Sequence, residues 1–394
     1  MSPTLGRRCA PSSRARAGRN RRPPPIVTAR PAPTAPAKQR VRFRGAGEFS
    51  RLVNQRAEAV LSDPTALRRA YRELWMKSAI VVVWLIASYL FLLLAATSAV
   101  EAAAGSVSLG LAAAAIGFCI MHDANHGGFS TNRSVNRVAA HSLDLIGGSS
   151  YVWAAKHLAH HTYTNVSGYD PDVDALPFAR FEASQRRRSW HRYQHIYVWL
   201  LYAFVTVRWQ LVTDFTFLVR GRIGDSAFKR PRGRDLAALV AGKAVFLTWA
   251  VAVPLALHPL GQVALVFLAA SAVASLALTV TFQLSHCLEE AVSLPAADVE
   301  DGTEWHLHQL AATADFAQGN RVVGWYVGGL NHQIEHHLFP RVPHTLHPQL
   351  AAVVRATAAE CGLRYNAHET MRDALRSHTR WLRQVGADAA EPAM

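Results

Sequence analysis

The sequence predicts an all-α integral membrane protein, in which four transmembrane helices form two hairpins and a cytoplasmic helical cap carries three histidine-rich segments. The first observation is the composition. The chain has 394 residues, of which 50% are hydrophobic and only 18% are charged, and its apolar residues are gathered into long runs. The second observation is that Lys and Arg avoid two of the turns between those runs. The third is the clustering of the 19 histidines.

The N-terminal arm, residues 1–45, is predicted to be disordered because it is rich in Pro, Arg, Ala and Ser and has no apolar face. It holds 12 Lys and Arg and no acidic residue, and so carries about +12 of the formal net charge of +15. The remainder of the chain is close to neutral, which argues against a nucleic-acid-binding protein. Four cysteines without a CxxC pair support neither a disulfide framework nor a zinc ribbon. We assign 46–385 to the membrane domain and 386–394 to a flexible C-terminal tail.

Four apolar runs are predicted to cross the membrane, at about 78–99, 107–121, 236–257 and 262–284. The first run has 22 residues, about 33 Å as a helix, which spans a hydrocarbon core of about 30 Å. The second has only 15 residues and is plausible as the return leg of a hairpin. Lys243 interrupts the third and is expected to face protein or to extend towards an interface. The run 196–219 carries Arg208 and Asp214, and we interpret it as an amphipathic interfacial helix.

The orientation follows from the positive residues. Most Lys and Arg lie in 1–77 and 122–235, whereas the predicted turns 100–106 and 258–261 have none. Because positive loops stay in the cytoplasm, both hairpins are expected to begin and end there, together with both termini.

Three short windows, 122–126, 157–161 and 332–337, hold eight of the 19 histidines; we call them the first, second and third histidine segments. Histidines at i and i+4, or at i, i+3 and i+4, share one helical face and can reach one metal ion. Imidazole suits zinc, copper, nickel and iron alike. Seven or more imidazoles exceed the four-coordinate shell of a single zinc ion, so the pattern indicates two metals or one octahedral site with spare ligands. All three segments are predicted to reach the cytoplasmic face.

The strings MHDANHGGFS (121–130), GGSSYVWAAKHLAHHTYTN (147–165) and GGLNHQIEHHLFP (328–340) resemble the membrane fatty acid desaturase family. Gln333, where many desaturases have a histidine, resembles the branch with linoleoyl-CoA-type and front-end enzymes. The resemblance covers about residues 50–385. It implies an O2-dependent oxidoreductase with two iron ions, which removes two hydrogens from an acyl chain and leaves a cis double bond.

The resemblance also implies a ligand set. The iron ligands that it implies are His122, His126, His157, His160, His161, His336 and His337, with Gln333 and His286 completing the set. His308 is left open as a ligand or as a residue of the outer shell. His332, Asp123 and Asn125 are expected to support ligands from outside. The pairs His191/His195 and His344/His347 are interpreted as surface histidines.

The implied partners are O2, membrane lipid, a fatty acyl substrate attached to CoA, a carrier protein or a lipid, and a separate electron donor. The donor is expected to be a ferredoxin or a small haem cytochrome with its reductase, since the sequence has no His-Pro-Gly-Gly haem signature, no GxGxxG in a βαβ unit and no cysteine iron–sulfur spacing. Basic loop residues dock this donor, bind substrate phosphates or act only as positive-inside residues: Arg186, Arg187, Arg188, Arg220, Arg222, Lys229 and Arg230.

Two other functions are compatible with parts of the pattern. A hydroxylase on the same scaffold uses similar histidine segments, although the string HQIEHHLFP favours desaturation. A metal transporter would need ligands along a path through the bilayer, whereas the histidines here are predicted to lie at one face.

Overall fold

A computed structural model of the protein describes residues 41–224, 226–299 and 303–387. Most of the predicted arm and residues 388–394 of the predicted tail therefore lie outside the described residues. The last five arm residues are part of the packed chain. Val41 is buried beside Val166 and Val299, and the Arg44 backbone N–H donates to the Thr303 carbonyl over 2.8 Å.

The described chain is mostly helical, as predicted. Its α-helices are α1 Glu48–Leu61, α2 Pro64–Leu94, α3 Ala99–Ile116, α4 His122–His126, α5 Arg133–Ala140, α6 Ser142–Leu145, α7 Ser150–Thr162, α8 Gln194–Ala203, α9 Val205–Arg208, α10 Asp214–Arg220, α11 Arg234–Leu247, α12 Val253–Leu257, α13 Leu260–His286, α14 Trp305–Ala312, α15 Arg321–Tyr326, α16 Gln333–Leu338, α17 His347–Glu360 and α18 Met371–Ala387. Short 3₁₀ turns lie at Ser189–Tyr193, Ala296–Asp298 and His344–Leu346, and π turns at Gly117–Met121, Trp209–Thr213 and Thr248–Ala252.

Strands are few and short. β1 (Arg222–Ile223) pairs antiparallel with β2 (Ser226–Ala227), and β3 (Asp315–Phe316) pairs parallel with β4 (Ala367–His368). The second pair joins the region before the third histidine segment to the region before α18.

Four continuous helices are long and apolar enough to cross a membrane: Pro64–Leu94, Ala99–His126, Arg234–Leu257 and Leu260–His286. Each of them overlaps one predicted span, but the first helix ends at Leu94 and not at 99, and the turn predicted at 100–106 is wrong. Ser98 and Glu101 form a capping box, in which each side chain binds the other's backbone N–H, so the second helix already begins at Ala99. Glu101, which sequence reasoning placed in a turn, is a capping residue.

The run 196–219 forms a bent pair of helices, Ser189–Ala203 and Val205–Arg220, which meet at 56°. The α9 helix of this pair is fixed to α13, since the Thr206 hydroxyl donates to the Ser271 carbonyl and its N–H donates to the Ser275 hydroxyl, both over 2.9 Å.

Lys243 in α11 faces protein. Its ammonium group lies 2.7 Å from Asp214 Oδ2 and donates to the Gly147 and Gln210 carbonyls at 2.6 and 3.0 Å. The ion pair connects the bent helix pair, α11 and the loop before the second histidine segment, and this resolves the choice that the sequence left open.

The long helices pack closely at small residues. A Cβ on Gly110 of α3 would lie 2.4 Å from the Ala270 carbonyl oxygen of α13, so only glycine permits this approach. The packing brings the C-terminal end of α13 beside the helix that carries the first histidine segment, at the end of the molecule where the other two segments lie.

Candidate metal centre

The first histidine segment lies on α4, directly after a π turn at Gly117–Met121. One helical turn separates His122 from His126, and their ring centroids are 4.9 Å apart. Gly127, at φ 82°, ends the helix in a left-handed conformation that favours glycine.

The second and third segments are also helical. α7 begins at the Ser149 cap, and His157, His160 and His161 follow on its buried side near its C-terminal end. The third segment forms α16, where His336 and His337 are buried. The fourth contributor is His286, the last residue of α13.

These helices bring the histidines into one buried cluster that contains two adjacent groups of candidate ligands. Candidate ligand nitrogens of His122, His126, His157 and His336 lie within 4.8 Å of one another, and so do those of His160, His286 and His337. His161 lies between the groups, because its nitrogens form a third such set with His336 and His337. We call these eight residues the histidine cluster.

Ring nitrogens point at one another inside the cluster. His161 Nε2 is 3.0 Å from both His157 Nε2 and His336 Nε2. The rings of His161 and His337 are stacked, with centroids 4.1 Å apart. Three nitrogens at such distances cannot all be satisfied by each other's single protons, whereas a cation among them would accept all their lone pairs.

Six nitrogens in the cluster have no hydrogen-bond partner although they are fully buried: His122 Nε2, His126 Nε2, His160 Nε2, His161 Nδ1, His286 Nδ1 and His337 Nε2. A buried polar atom without a partner costs about 1–3 kcal/mol. Six such atoms within one buried cluster of imidazoles fit a site that binds metal ions.

The opposite nitrogens of two rings are held from outside the cluster. His160 Nδ1 donates to Asp170 Oδ2 over 2.9 Å, and His337 Nδ1 donates to Gln309 Oε1 over 2.8 Å. Such contacts fix the tautomer and leave Nε2 free to bind a metal. Thr164 Oγ1 also donates to Gln309 Oε1, at 2.8 Å.

The first segment has its own support. Asp123 Oδ2 accepts hydrogen bonds from His344, from Nδ1 at 2.8 Å and from the backbone N–H at 3.1 Å. On its other side the His344 ring contacts the Lys77 ammonium, 2.8 Å from Nε2. Asp123 Oδ1 lies 3.9 Å from His122 Nδ1. A buried chain therefore runs from Lys77 to the first histidine segment.

Electrostatics keep most of these imidazoles neutral. Burial, followed by the neighbouring imidazoles, lowers the pKa of His161, His336 and His337 well below the usual histidine value. Only neutral imidazole binds a metal. His160 differs, since Asp170 and Asp172 outweigh the effect of burial and raise its pKa.

The structure brings Gln333 to the cluster as well. Its side chain is buried, and its amide nitrogen lies 3.0 Å from His286 Nε2. His308 lies apart, because its Nε2 donates to the Thr164 carbonyl over 2.7 Å. His286, and not His308, therefore adjoins the other histidines.

The remaining predicted residues divide between support and packing. Asn125 donates to the Met121 carbonyl one turn back, at 3.0 Å, and so supports its own helix. His332 turns away to join Asp315 and Glu335 in a separate buried group. The interpretation of His344 and His347 as surface residues is wrong: both are buried, because the chain after the third segment folds back under the cluster. His191 is also buried, with Nε2 2.9 Å from the Pro177 carbonyl, and is not a surface residue.

Sequence reasoning missed Gln309 and Asn165. Asn165 has φ 55°, and its amide donates to the His286 carbonyl at 2.8 Å and to the Ala312 carbonyl at 3.2 Å. It joins the second segment to the end of α13. Asn is enriched among residues with positive φ, so its identity is a weak signal for this conformation. The sequence does not identify its hydrogen-bond partners, which lie more than 120 positions away.

Comparison with known proteins finds several similar sequences. The family model described as fatty acid desaturase matches residues 97–369. The chain is 32% identical to an sn-1 linoleoyl-lipid 6-desaturase of Arthrospira platensis over 352 residues, 88% of this chain and 95% of the relative. It is also 32% identical to the enzyme of the same name from Synechocystis sp., covering 88% of this chain and 98% of the relative. An acyl-lipid (8-3)-desaturase of Physcomitrium patens is 31% identical, covering 86% and 72%.

Proposed function

The chain belongs to the fatty acid desaturase family and is an O2-dependent oxidoreductase of lipid metabolism, and on this premise we propose that its histidine cluster holds two iron ions. The observation that carries the proposal is the convergence of eight imidazoles from four chain segments, which hold six buried nitrogens without a hydrogen-bond partner. Bound iron supplies the activation of O2 that removal of two hydrogens from an unactivated acyl chain requires.

The grouping of the nitrogens supports a division of the ligands. His122, His126, His157 and His336 would hold one ion, and His160, His286 and His337 the other. His161 lies between them, and Gln333 adjoins His286, where its amide completes the second set or orients a water. The residues of the chain would thus hold the imidazoles in position and exclude bulk solvent from the iron ions.

Metal analysis tests this assignment. Purified protein should hold about two irons per chain, and His160→Ala should abolish turnover together with metal binding. His141→Ala is the matched control, since its side chain is 45% exposed and lies outside the cluster. Stoichiometric zinc without iron, in protein that still turns over, would contradict the di-iron assignment.

We further propose that the four long helices form two hairpins, with four crossings and both termini in the cytoplasm. The concentration of Lys and Arg in 1–77 and 122–235 supports this orientation. The bent helix pair at 189–220 would lie in the interface. The other helices would then form a cytoplasmic cap that carries the histidine segments.

The acyl carrier is proposed to be a lipid. The relatives from Arthrospira platensis and Synechocystis sp. carry the name linoleoyl-lipid 6-desaturase and match nearly their whole length. Expression in a host without desaturases, followed by profiling of lipid-linked and CoA-linked acyl chains, separates the carriers and locates the double bond. Hydroxylated products in place of a new double bond would favour the alternative activity.

Electrons are proposed to come from a separate ferredoxin or small haem cytochrome. Exposed basic side chains on the loops around the bent helix pair offer a docking surface for an acidic protein: Arg186, Arg188, Arg220, Lys229 and Arg230. Reduction by the donor should slow as salt concentration rises, and Arg186→Glu should weaken it further.

A further inference from the structure

A second group of titratable side chains lies next to the third histidine segment but outside the histidine cluster. Asp315, His332 and Glu335 are all buried, with relative exposures of 0%, 4% and 0%. One candidate ligand atom from each lies within 4.8 Å of the others. The group is not used in the proposed function.

Asp315 accepts three hydrogen bonds, which leaves a lone pair of Oδ1 available to a further partner. Its Oδ1 accepts from the Ile334 backbone N–H at 2.9 Å. Its Oδ2 accepts from the Tyr365 hydroxyl and from the Gln318 amide, both at 2.5 Å. This carboxylate is therefore well satisfied in its charged form.

Glu335 is not. Its Oε1 lies 3.1 Å from the Tyr365 oxygen, but a tyrosine has a single hydroxyl proton, and the much shorter contact to Asp315 takes it. Its Oε2 has no hydrogen-bond partner and lies 3.9 Å from His332 Nδ1. A fully buried carboxyl oxygen without a donor is costly, and the imidazole nitrogen beside it is also 3.2 Å from the Gln318 amide nitrogen.

Arg355 lies close to this group but does not pair with either carboxyl group. Arg355 donates to Gln318 Oε1, and its guanidinium group lies over the Tyr365 ring, 4.8 Å from the centroid. Among the described residues, neither Asp315 nor Glu335 has an ion pair with Lys or Arg. Within the described part of the chain, the two carboxyl groups therefore have no Lys or Arg partner.

We propose that Asp315, Glu335 and His332 bind a divalent transition-metal ion at a site separate from the histidine cluster. Two carboxylate oxygens and one imidazole nitrogen form a mixed donor set that suits Zn²⁺, Fe²⁺ or Mn²⁺, whereas Ca²⁺ and Mg²⁺ prefer oxygen alone. Such an ion would give Glu335 Oε2 its missing partner and balance the two negative charges. Three protein ligands leave room for a water.

The position of this site gives the ion a structural role. Glu335 lies within α16, and His332 immediately precedes that helix, so both belong to the segment that carries His336 and His337. Asp315 lies in β3, which pairs with β4. A bound ion would cross-link α16 to the sheet and hold the third histidine segment in place from behind.

Metal content by inductively coupled plasma mass spectrometry tests the proposal. Full-length protein in detergent is incubated with zinc sulfate, freed of weakly bound ions and compared with Asp315→Asn. We expect the variant to hold about one ion per chain fewer. Asp373→Asn is the matched control, since that carboxylate lies on α18 with 45% exposure and should leave the count unchanged. Because the difference between variants is measured, it does not depend on which metal the histidine cluster holds.

Equal metal content in the wild type and Asp315→Asn would overturn the proposal and leave a protonated Glu335 as the explanation. If Asp315→Asn fails to fold, His332→Ala decides, since it removes the nitrogen donor without changing a carboxylate and should lose the same single ion. Zinc K-edge absorption of the wild type gives an independent measurement. A shell of imidazole nitrogen alone, without the added carboxylate oxygen, would equally overturn the site.

Discussion

At the scale of single residues, Gln333 is where the third histidine segment departs from an all-imidazole pattern. The sequence predicts that it lies near the metal ligands. It does not predict the contact with His286, at 3.0 Å, because the two residues are 47 positions apart and meet only when α13 and α16 pack. Mutation of Gln333 therefore tests what its amide does at the site.

Replacing Gln333 should separate packing from polar support. We expect Gln333→Leu to lose desaturation by at least about tenfold, since a polar contact beside His286 disappears. Gln333→His should keep the iron but lose most activity, because imidazole is shorter and more rigid than the amide side chain and misaligns the site. Iron content and product analysis measure both effects. Full activity of the Leu variant would remove Gln333 from the site.

His344 should support metal binding although it is not a candidate ligand. His344→Phe keeps a ring of similar shape but leaves Asp123 and Lys77 without their shared partner. We expect metal affinity to fall by about 10- to 100-fold, as measured by competition with a chelator. His141→Phe, at an exposed imidazole that pairs with Asp144, is the control. Unchanged chelator resistance in His344→Phe would show that the chain does not support the site.

His378 predicts a dependence of stability on pH. Burial lowers its pKa to about 4, while Nδ1 donates to the Cys287 carbonyl and Nε2 accepts from Tyr202. Above pH 6.5 it is neutral in both states. Below pH 6.5 the unfolded chain takes up a proton that the folded chain does not, so stability falls, by about 3 kcal/mol at pH 4.

Thermal unfolding of His378→Gln between pH 4 and 7 measures this effect. The variant cannot titrate at this position, so its unfolding midpoint should fall less on acidification than that of the wild type. Parallel curves for the two proteins would contradict the assignment.

At the scale of elements, a π turn at Gly117–Met121 links the apolar part of the second long helix to the first histidine segment. A π turn contains one more residue than the α-helix it interrupts, so it sets the direction in which His122 and His126 point. Removing one residue from this turn should rotate both imidazoles by about 100° away from the other segments.

The packing of α3 against α13 gives an element-scale prediction. Gly110→Ala places a Cβ 2.4 Å from the Ala270 carbonyl oxygen, so the helices must separate and stability should fall by about 1–3 kcal/mol. In Gly261→Ala, the control, the new Cβ has no neighbour within 4 Å. Unfolding midpoints in detergent compare the two variants. Equal midpoints would show that the close approach is not needed for stability.

At the scale of the whole molecule, the proposed topology predicts which positions face outward. After replacement of the natural cysteines, Thr97→Cys and Pro259→Cys should react with an impermeant thiol reagent on intact cells. Thr131→Cys and Gly319→Cys, both exposed in the structure, should react only after lysis. Labelling of Thr131→Cys from outside would break the shared cytoplasmic site.

Much of the fold could be predicted from hydropathy and residue spacing, because membrane spans and histidine segments are local patterns in the sequence. The four long helices and the three segments could be predicted for this reason. What failed or was missed depends on contacts between distant residues. Glu101 caps a helix because it pairs with Ser98. Gln309 supports His337 from 28 positions away in the sequence. His347 is buried because the chain returns beneath the cluster.

The distribution of the cluster over four segments also orders its assembly during synthesis. The first ligand position to leave the ribosome is 122 and the last is 337, so a nascent chain that ends before α16 lacks members of both groups. At about 5–20 residues per second, this gap of 215 residues lasts roughly 10–40 seconds. During that time the first two segments already present unpaired imidazoles, and the chain must wait for its last third before it can close the site around metal.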